Sequence, residues 1–288
     1  MYIKNIKAFT GTQYYLRIGD IEICVTTDVG PRIISLNLVG QENLMFQDLN
    51  ELITKDVSQI YGTDSKWRLY GGHRVWLAPE EEQTYFPDCE KVDIEILTDT
   101  VLFTPKPRPN GLQLSLSISA TKDRNSILVS YQVVNNSREQ VKCALWGLTA
   151  FKSGGCMECK WSQRDTKYQP NRNVVFWPYS DVNDFRFKLN NDGFQLLSDI
   201  NYRKPFKIGT FDPLLSVRYD LLNTIFTKSI VECDESYDVE LPDLSCNFEA
   251  YTNDLIHEIE VLTAYKKLGF KDKITRSEIW TLKRNLEV

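Results

Sequence analysis

The sequence predicts an all-β protein, a large sandwich or barrel, and three observations lead to this fold class. Residues 112–121, LQLSLSISAT, alternate apolar with small polar side chains, as a half-buried antiparallel strand does. Two further strand-like segments, SILVSYQVVNNS and VKCALWGLTAF, follow at short spacing, with a turn marked by Asn135 and Asn136. No strand–helix–strand rhythm, heptad pattern or repeat of fixed period is visible.

The rest of the chain fits the same class with one exception. IEICVTT and RIISLNLVG are also predicted strands, and residues 104–111, TPKPRPNG, are predicted to be a stiff connection between two strands. Because no linker divides the chain, residues 1–288 are expected to form one domain. A helix is predicted over residues 47–60, QDLNELITKDVSQI, where apolar side chains recur near helical spacing: Leu49, Leu52, Ile53, Val57 and Ile60.

Composition and charge exclude several classes of protein. The 288 residues are 42% hydrophobic, which is enough for a large core and argues against disorder. The net charge is −5 and no Lys/Arg block is present, so neither nucleic acid nor an anionic membrane is an expected partner. The N-terminal residues lack an apolar signal region, and no stretch approaches the roughly 18 apolar residues of a membrane-spanning helix. We therefore expect a soluble, cytoplasmic protein.

The seven cysteines predict neither disulfides nor a metal site. An odd number of cysteines without a signal peptide is typical of a reducing compartment. Cys156 and Cys159, in GGCMEC, have no second pair or nearby histidine that would complete a zinc site, and they do not open a helix as a redox pair would. No metal and no cofactor are predicted.

Six segments carry a family resemblance, in this order: DVGPRIISLNLVGQENLMFQD, YGGHRVWLAPE, ALWGLTAF, VVFWPYSDVNDFR, FKIGTF and IHEIEVLTAY. Together they cover nearly the whole chain, and they resemble the aldose 1-epimerase (galactose mutarotase) superfamily, most closely a bacterial family of galactose mutarotase-like domains. The resemblance implies a β-supersandwich of two large antiparallel sheets with a sugar-sized cleft. It also implies a small-molecule sugar or sugar derivative as the partner.

The best candidates for acid–base chemistry lie in residues 256–262, IHEIEVL. In a strand, Glu258 and Glu260 point to one face and His257 to the other. Two carboxylates on a buried face repel each other and raise the pKa of one of them, which suits a general acid or base. The resemblance implies that the base is a glutamate on a late strand, at Glu260 with Glu258 close by. The alternative is an exposed strand face that carries two solvated glutamates.

A second candidate segment is YGGHRVWLAPEE, residues 70–81. Arg74 and Trp76 share a strand face and form a combination typical of sugar binding, with guanidinium donors for hydroxyls and a ring for stacking. Alternation places His73 on the other face, and we expect a bulge or the strand end to bring it beside Arg74, so that both are site residues. The superfamily's acid is a mid-chain histidine, yet CALWGLTAF contains none. His73 is therefore either the acid or a packing residue, and in the second case the acid is absent.

Further sugar-binding candidates follow in FWPYSDVNDFR and FKIGTF. Trp177, Asp181 and Arg186 put an aromatic ring and opposite charges around a proline turn, which suits a carbohydrate-binding loop. The alternative is a loop packed on the edge of the sandwich, with Asp181 capping a turn. Lys207 is a candidate only because it resembles a lysine of the related domains.

Two functions are therefore considered. The first is a sugar epimerase or mutarotase, in which a base takes the proton of the anomeric hydroxyl and an acid protonates the ring oxygen. The second is a catalytically silent carbohydrate-binding protein of the same fold. A glycosidase is disfavoured, because it needs two carboxylates about 5–9 Å apart across a scissile bond.

Overall fold

Two large antiparallel sheets pack face to face in the computed structural model, which describes residues 1–231 and 239–285. The strands of the first half of the chain are β1 (Tyr2–Ala8), β2 (Gly11–Ile18), β3 (Ile21–Thr26), β4 (Arg32–Leu38), β5 (Thr54–Asp56), β6 (Lys66–Arg68), β7 (Gly72–Ala78), β8 (Asp93–Ile96), β9 (Thr100–Thr104), β10 (Leu112–Ala120), β11 (Ser126–Asn135) and β12 (Val141–Lys152).

The strands of the second half are β13 (Cys156–Lys160), β14 (Val175–Phe176), β15 (Phe187–Leu189), β16 (Gly193–Leu197), β17 (Phe206–Thr210), β18 (Ser216–Leu221), β19 (Thr224–Ile230), β20 (Phe248–Thr252), β21 (Ile256–Leu262), β22 (Lys266–Leu268) and β23 (Lys273–Arg284). The helical segments are short: α1 (Ser58–Tyr61), a 3-10 turn at Glu82–Thr84, and α2 (Pro242–Ser245). Within the described ranges, no helix is long and apolar enough to cross a membrane.

The order of the strands brings distant parts of the chain together. The first sheet has the order β1-β2-β3-β4-β7-β12-β21-β20-β17-β14, and β22 pairs with the beginning of β12. The second sheet has the order β15-β16-β13-β18-β19-β23-β11-β10-β9-β8, while β5 and β6 form a separate hairpin. The fold class predicted from the sequence, all-β with two large antiparallel sheets, is confirmed.

Alternating apolar side chains from both sheets form the core between them. Leu16, Ile33 and Phe151 from the first sheet belong to one buried cluster with Leu116 and Val129 from the second. Burying each such side chain stabilises the fold by about 1.5–3 kcal/mol. The predicted strand over 112–121 is therefore confirmed as β10, with its apolar face in this core.

The helix predicted over residues 47–60 is wrong. This segment contains β5 and only the beginning of α1, and Leu49 and Leu52 are exposed, so the apolar spacing does not correspond to a buried face. Both carboxylate oxygens of Asp48 accept hydrogen bonds, from the backbone N–H groups of Leu52 and Ile53 at 2.8 Å each. These bonds favour a local turn over a helix.

An ion pair lies within the core, at the inner face of the second sheet. Lys228 Nζ is 3.5 Å from Glu278 Oε2, and both side chains are fully buried. Glu278 also accepts hydrogen bonds from Tyr131 Oη and Trp280 Nε1, each at 2.7 Å. Gly147 of the first sheet leaves room for this cluster, because a Cβ there would lie 2.2 Å from Tyr131 Oη.

The same lysine connects the two sheets. Lys228 Nζ donates to Thr149 Oγ1 on β12 at 2.6 Å and to the carbonyl oxygen of Ile259 on β21 at 3.3 Å. Thr149 Oγ1 also lies 2.9 Å from His73 Nδ1 on β7. One buried ammonium thereby interacts with the two central strands of the opposite sheet.

We predict that Glu278→Gln lowers the free energy of unfolding by about 3–5 kcal/mol, because it leaves the Lys228 ammonium buried without a compensating charge. Urea unfolding monitored by circular dichroism measures this loss. Asp20→Asn, which breaks the exposed ion pair with Arg124, is the matched control and should change stability little. The double variant Lys228→Met/Glu278→Gln should recover part of the loss, and equal losses in the single and double variants would contradict this explanation.

Candidate functional site

The candidate site lies on the face of the first sheet that points away from the core. Strand pairing aligns Arg74 on β7 with Leu148 on β12, and Leu148 with Glu260 on β21. Glu260 is in turn aligned with Glu249 on β20. Because side chains two residues apart share a face, these positions and their neighbours form one continuous surface across β7, β12, β21, β20 and β17.

Aromatic rings cover one end of this surface. Trp76 is stacked between Trp67 and Trp146, with ring centroids 5.7 and 5.4 Å apart and planes inclined by 15° in both pairs. Tyr85 meets Trp76 edge-on at 5.0 Å. The three indoles are only 3–6% exposed, so they form a buried aromatic cluster beside the charged residues of this face.

Lys207 holds two carboxylates at the other end. Its Nζ lies 2.6 Å from Glu249 Oε2 and 3.0 Å from Glu260 Oε2. Trp146 Nε1 donates to the same Glu260 oxygen at 2.9 Å. Burial raises the pKa of Glu249, whereas the two carboxylates raise the pKa of Lys207 despite its own burial. Glu260, which is 0% exposed, is therefore a paired group beneath the surface.

Glu258 is the carboxyl group best suited to proton transfer. It is half-buried, and burial together with the nearby negative charge of Glu260 raises its pKa to about 8. Glu80 also raises this pKa, while Arg74 and Lys207 oppose the shift. A carboxyl group with a pKa close to neutrality can either donate or accept a proton there.

The side chain opposite Glu258 in the sheet is Tyr251. The two residues are directly paired between β21 and β20, a relation that brings Cβ atoms to about 4.5–5.5 Å. The Tyr251 hydroxyl accepts a hydrogen bond from Asn253 Nδ2 at 3.2 Å, which leaves its own proton available to donate. Burial, and then Glu258, raise the pKa of Tyr251.

The loop before β15 contributes Trp177. Ser180 connects this loop to β17, because its Oγ donates to the Lys207 carbonyl at 2.7 Å and accepts from the Lys207 N–H at 2.8 Å. The Trp177 ring then lies 4.7 Å from Lys207 Nζ. Trp177 and Lys207 therefore share the candidate site with Arg74, Trp76, Glu258 and Glu260.

Asp181 and Arg186, from the same loop, are not brought to the site. Asp181 is exposed and its Oδ1 accepts from the Asn183 N–H at 2.9 Å, so it caps a turn. Arg186 is buried and ion-paired with Asp184 at 2.8 Å, and it donates to the Lys204 carbonyl at the same distance. Both residues stabilise the loop, as the alternative interpretation of this segment describes.

His73 also requires a correction, since it does not lie beside Arg74. Pairing between β7 and β12 runs in unbroken register from Gly72 to Ala78, so no bulge rotates the strand. His73 is fully buried in the core, with its ring 4.9 Å from that of Trp280. Alternation therefore separates it from the surface that carries Glu260. His257 is likewise in the core, stacked on Tyr219 at 4.5 Å.

Sequence reasoning did not identify Glu249, Tyr251 and Trp146 as site residues. Glu249 and Tyr251 alternate in CNFEAYT as Glu258 and Glu260 do in IHEIEVL, so a shared face could have been inferred within the strand. Which strand lies beside β21 depends on long-range pairing, which the sequence pattern does not contain.

Cys156 and Cys159 lie three residues apart on β13, so their side chains point to opposite faces of the strand.

Comparisons with known proteins agree with the architecture. None of the protein-family models and none of the curated proteins compared with the sequence matches it. Among solved structures, a galactose mutarotase-like protein from Lactobacillus casei aligns over 94% of this chain and 100% of its own, with 8% identity and a TM-score of 0.58. The chain has the galactose mutarotase-like fold.

Two more structures support this assignment of fold. A galactose mutarotase-like protein from Clostridium acetobutylicum aligns over 99% of each chain, with 11% identity and a TM-score of 0.57. A galactose mutarotase related enzyme from Lactobacillus acidophilus aligns over 96% of this chain and 98% of its own, with 12% identity and a TM-score of 0.53. At such identities the similarity extends to the fold and not to individual side chains.

We predict that Glu258 titrates near pH 8 and that Glu260→Gln lowers this pKa, because the variant removes a neighbouring negative charge. Lys207→Met should raise the same pKa, because it removes a positive charge. Titration of carboxyl resonances in 13C-labelled protein measures both shifts, and the signal is assigned by its loss in Glu258→Gln. A rise of the Glu258 pKa in Glu260→Gln, a fall in Lys207→Met, or no shift in either variant would contradict the described electrostatics.

Proposed function

We propose that this protein binds a monosaccharide on the outer face of the first sheet and interconverts its anomers, with Glu258 as the proton-transferring group. The observation that carries the proposal is one half-buried carboxyl group with a pKa of about 8, on a sheet face that also carries a buried cluster of stacked tryptophans. Aromatic faces for C–H groups, cationic donors for hydroxyls and a titratable carboxyl are what sugar acid–base chemistry requires.

The proposed reaction assigns one role to each of two neighbouring groups. Ionised Glu258 takes the proton of the anomeric hydroxyl, and the Tyr251 hydroxyl donates a proton to the ring oxygen as the C1–O5 bond opens. The open-chain carbonyl turns about the C1–C2 bond, and closure reverses both transfers. Lys207, Glu249 and Glu260 hold the electrostatic surroundings of Glu258 constant through these steps.

Named relatives of the fold support the substrate class. The structural neighbours from Lactobacillus casei and Clostridium acetobutylicum are both described as galactose mutarotase-like. The family resemblance of the sequence leads independently to a sugar. A small aldose is therefore the proposed substrate.

One observation favours a second candidate, a protein that binds sugar without turning it over. Both histidines of the chain are buried in the core, and β12 presents Trp146, Leu148 and Ala150 to the site where the superfamily's histidine is expected. Without an imidazole, acid catalysis depends on Tyr251 alone. Measurements of binding and of turnover on the same sugars distinguish the two candidates.

We predict that Glu258→Gln slows catalysed anomer exchange by about 10²- to 10⁴-fold, because the amide cannot accept the proton, while sugar affinity changes little. Polarimetry of freshly dissolved α-anomers measures the rate, and calorimetric titration measures affinity. In the wild type the rate should rise with pH up to about 8, as Glu258 ionises.

The control is Glu158→Gln, which changes a half-buried strand glutamate on the second sheet that accepts from Gln195 Nε2 at 2.6 Å. It should leave the exchange rate unchanged. A wild-type protein that binds aldoses without accelerating anomer exchange would replace the proposed reaction by the second candidate.

A further inference from the structure

Arg74 is a buried cation without an anionic partner. The side chain is only 6% exposed, and its Nε is buried with no hydrogen-bond acceptor among the described residues. No carboxylate in the described part of the chain lies within ion-pair distance of its guanidinium. Burying an uncompensated charge is unfavourable, so a group kept in this state points to a partner that arrives from outside.

Two aromatic rings fix the orientation of this guanidinium. Its Cζ lies 3.8 Å from the centroid of the Trp76 ring and 4.7 Å from that of Trp67. Stacking favours the charge but provides no acceptor for the N–H groups, which project from the edges of the guanidinium plane. The donors are therefore held in place and remain available to a ligand.

The neighbouring cations of this surface are already compensated. Arg32, paired with Arg74 across β4 and β7, binds both oxygens of Asp88 at 2.9 and 3.0 Å. Lys207 on β17 binds Glu249 and Glu260. Of the three cations that β4, β7 and β17 contribute, Arg74 alone is unpaired among the described residues, which leaves one positive charge for a ligand.

We propose that the sugar bound at this site carries a carboxylate, as a hexuronate does, and that Arg74 binds it. This inference rests on the proposed function and specifies its substrate class. A guanidinium matches a carboxylate with two parallel hydrogen bonds, and one uncompensated charge fits a monoanion better than a phosphate dianion. Arg74 is therefore a specificity-determining residue for an acidic sugar.

The spacing of the strands agrees with such a ligand. Arg74 on β7 and Glu258 on β21 are separated by β12 and are offset by two residues in register, so their backbones lie roughly 12 Å apart. Leu148 and Ala150 of β12 lie between them and belong to a buried apolar cluster. A sugar ring that spans this distance directs its carboxylate to Arg74 and its anomeric end to Glu258.

The test compares matched acidic and neutral sugars by calorimetric titration at low salt: galacturonate with galactose, and glucuronate with glucose. We expect the wild type to bind a uronate roughly 10- to 100-fold more tightly than its neutral counterpart, as a charge-assisted hydrogen-bond pair provides. Arg74→Met should abolish this preference, while Arg74→Lys should keep part of it. Arg124→Met, which changes an exposed arginine 75% accessible to solvent, is the control and should keep it fully.

The outcomes separate this inference from the proposed function. Equal affinity for uronates and neutral sugars would overturn the carboxylate assignment alone, and tighter binding of galactose 6-phosphate would overturn the assignment of a single charge. Failure of every sugar to bind would overturn the proposed function itself. If Arg74→Met does not fold, the wild type is titrated with uronate and neutral sugar at increasing sodium chloride concentration. The preference for the uronate should fall as the salt concentration rises, because salt screens an ionic contact, and an unchanged preference would contradict the proposal.

Discussion

Alternation of side chains along β7, β12 and β21 determines which groups can meet at the candidate site. In each strand one set of side chains enters the core between the sheets and the other set forms the outer surface. Arg74, Glu258 and Glu260 are in the outer set, whereas His73 and His257 are in the inner one. A slip by one residue would place His257 and Ile259 of β21 on the outer face instead of Glu258 and Glu260, and His73 of β7 instead of Arg74.

The chemistry of the outer surface follows from partial compensation of buried charge. Lys207 compensates Glu260 and contacts Glu249, and Trp146 provides Glu260 with a further donor. Glu258, two residues before Glu260, has no such direct partner among the described residues, and burial together with the charge of Glu260 raises its pKa. Arg74 is in a similar state among the cations of this face. Its guanidinium stacks on the Trp76 ring, and no described carboxylate forms an ion pair with it. One carboxyl group and one guanidinium without an ion-pair partner among the described residues therefore lie on the same sheet face.

Local patterns were sufficient to predict the strands and the shared face of Glu258 and Glu260, because both depend only on a period of two residues. The same alternation places His73 on the face opposite to Arg74. No local residue indicated the bulge that would have changed this, and the described pairing of β7 contains none. Helical spacing over 47–60 was misleading because Asp48 stabilises a turn there. Glu249 and Trp146 were not predicted for a different reason. They lie near Glu260 because β20 and β12 pair with β21, and this pairing joins segments that can be distant in sequence.

Lys228 has a consequence for how the site can respond to a ligand. Its ammonium, fixed to Glu278 on the second sheet, donates to Thr149 and to the Ile259 carbonyl on the two strands under the site. Sliding of one sheet over the other would break these bonds inside a dry core, where the freed groups find no water. The sheet beneath the candidate site is therefore rigid against shear, and adjustment to a ligand is left to the loop that carries Trp177 and to side-chain rotations.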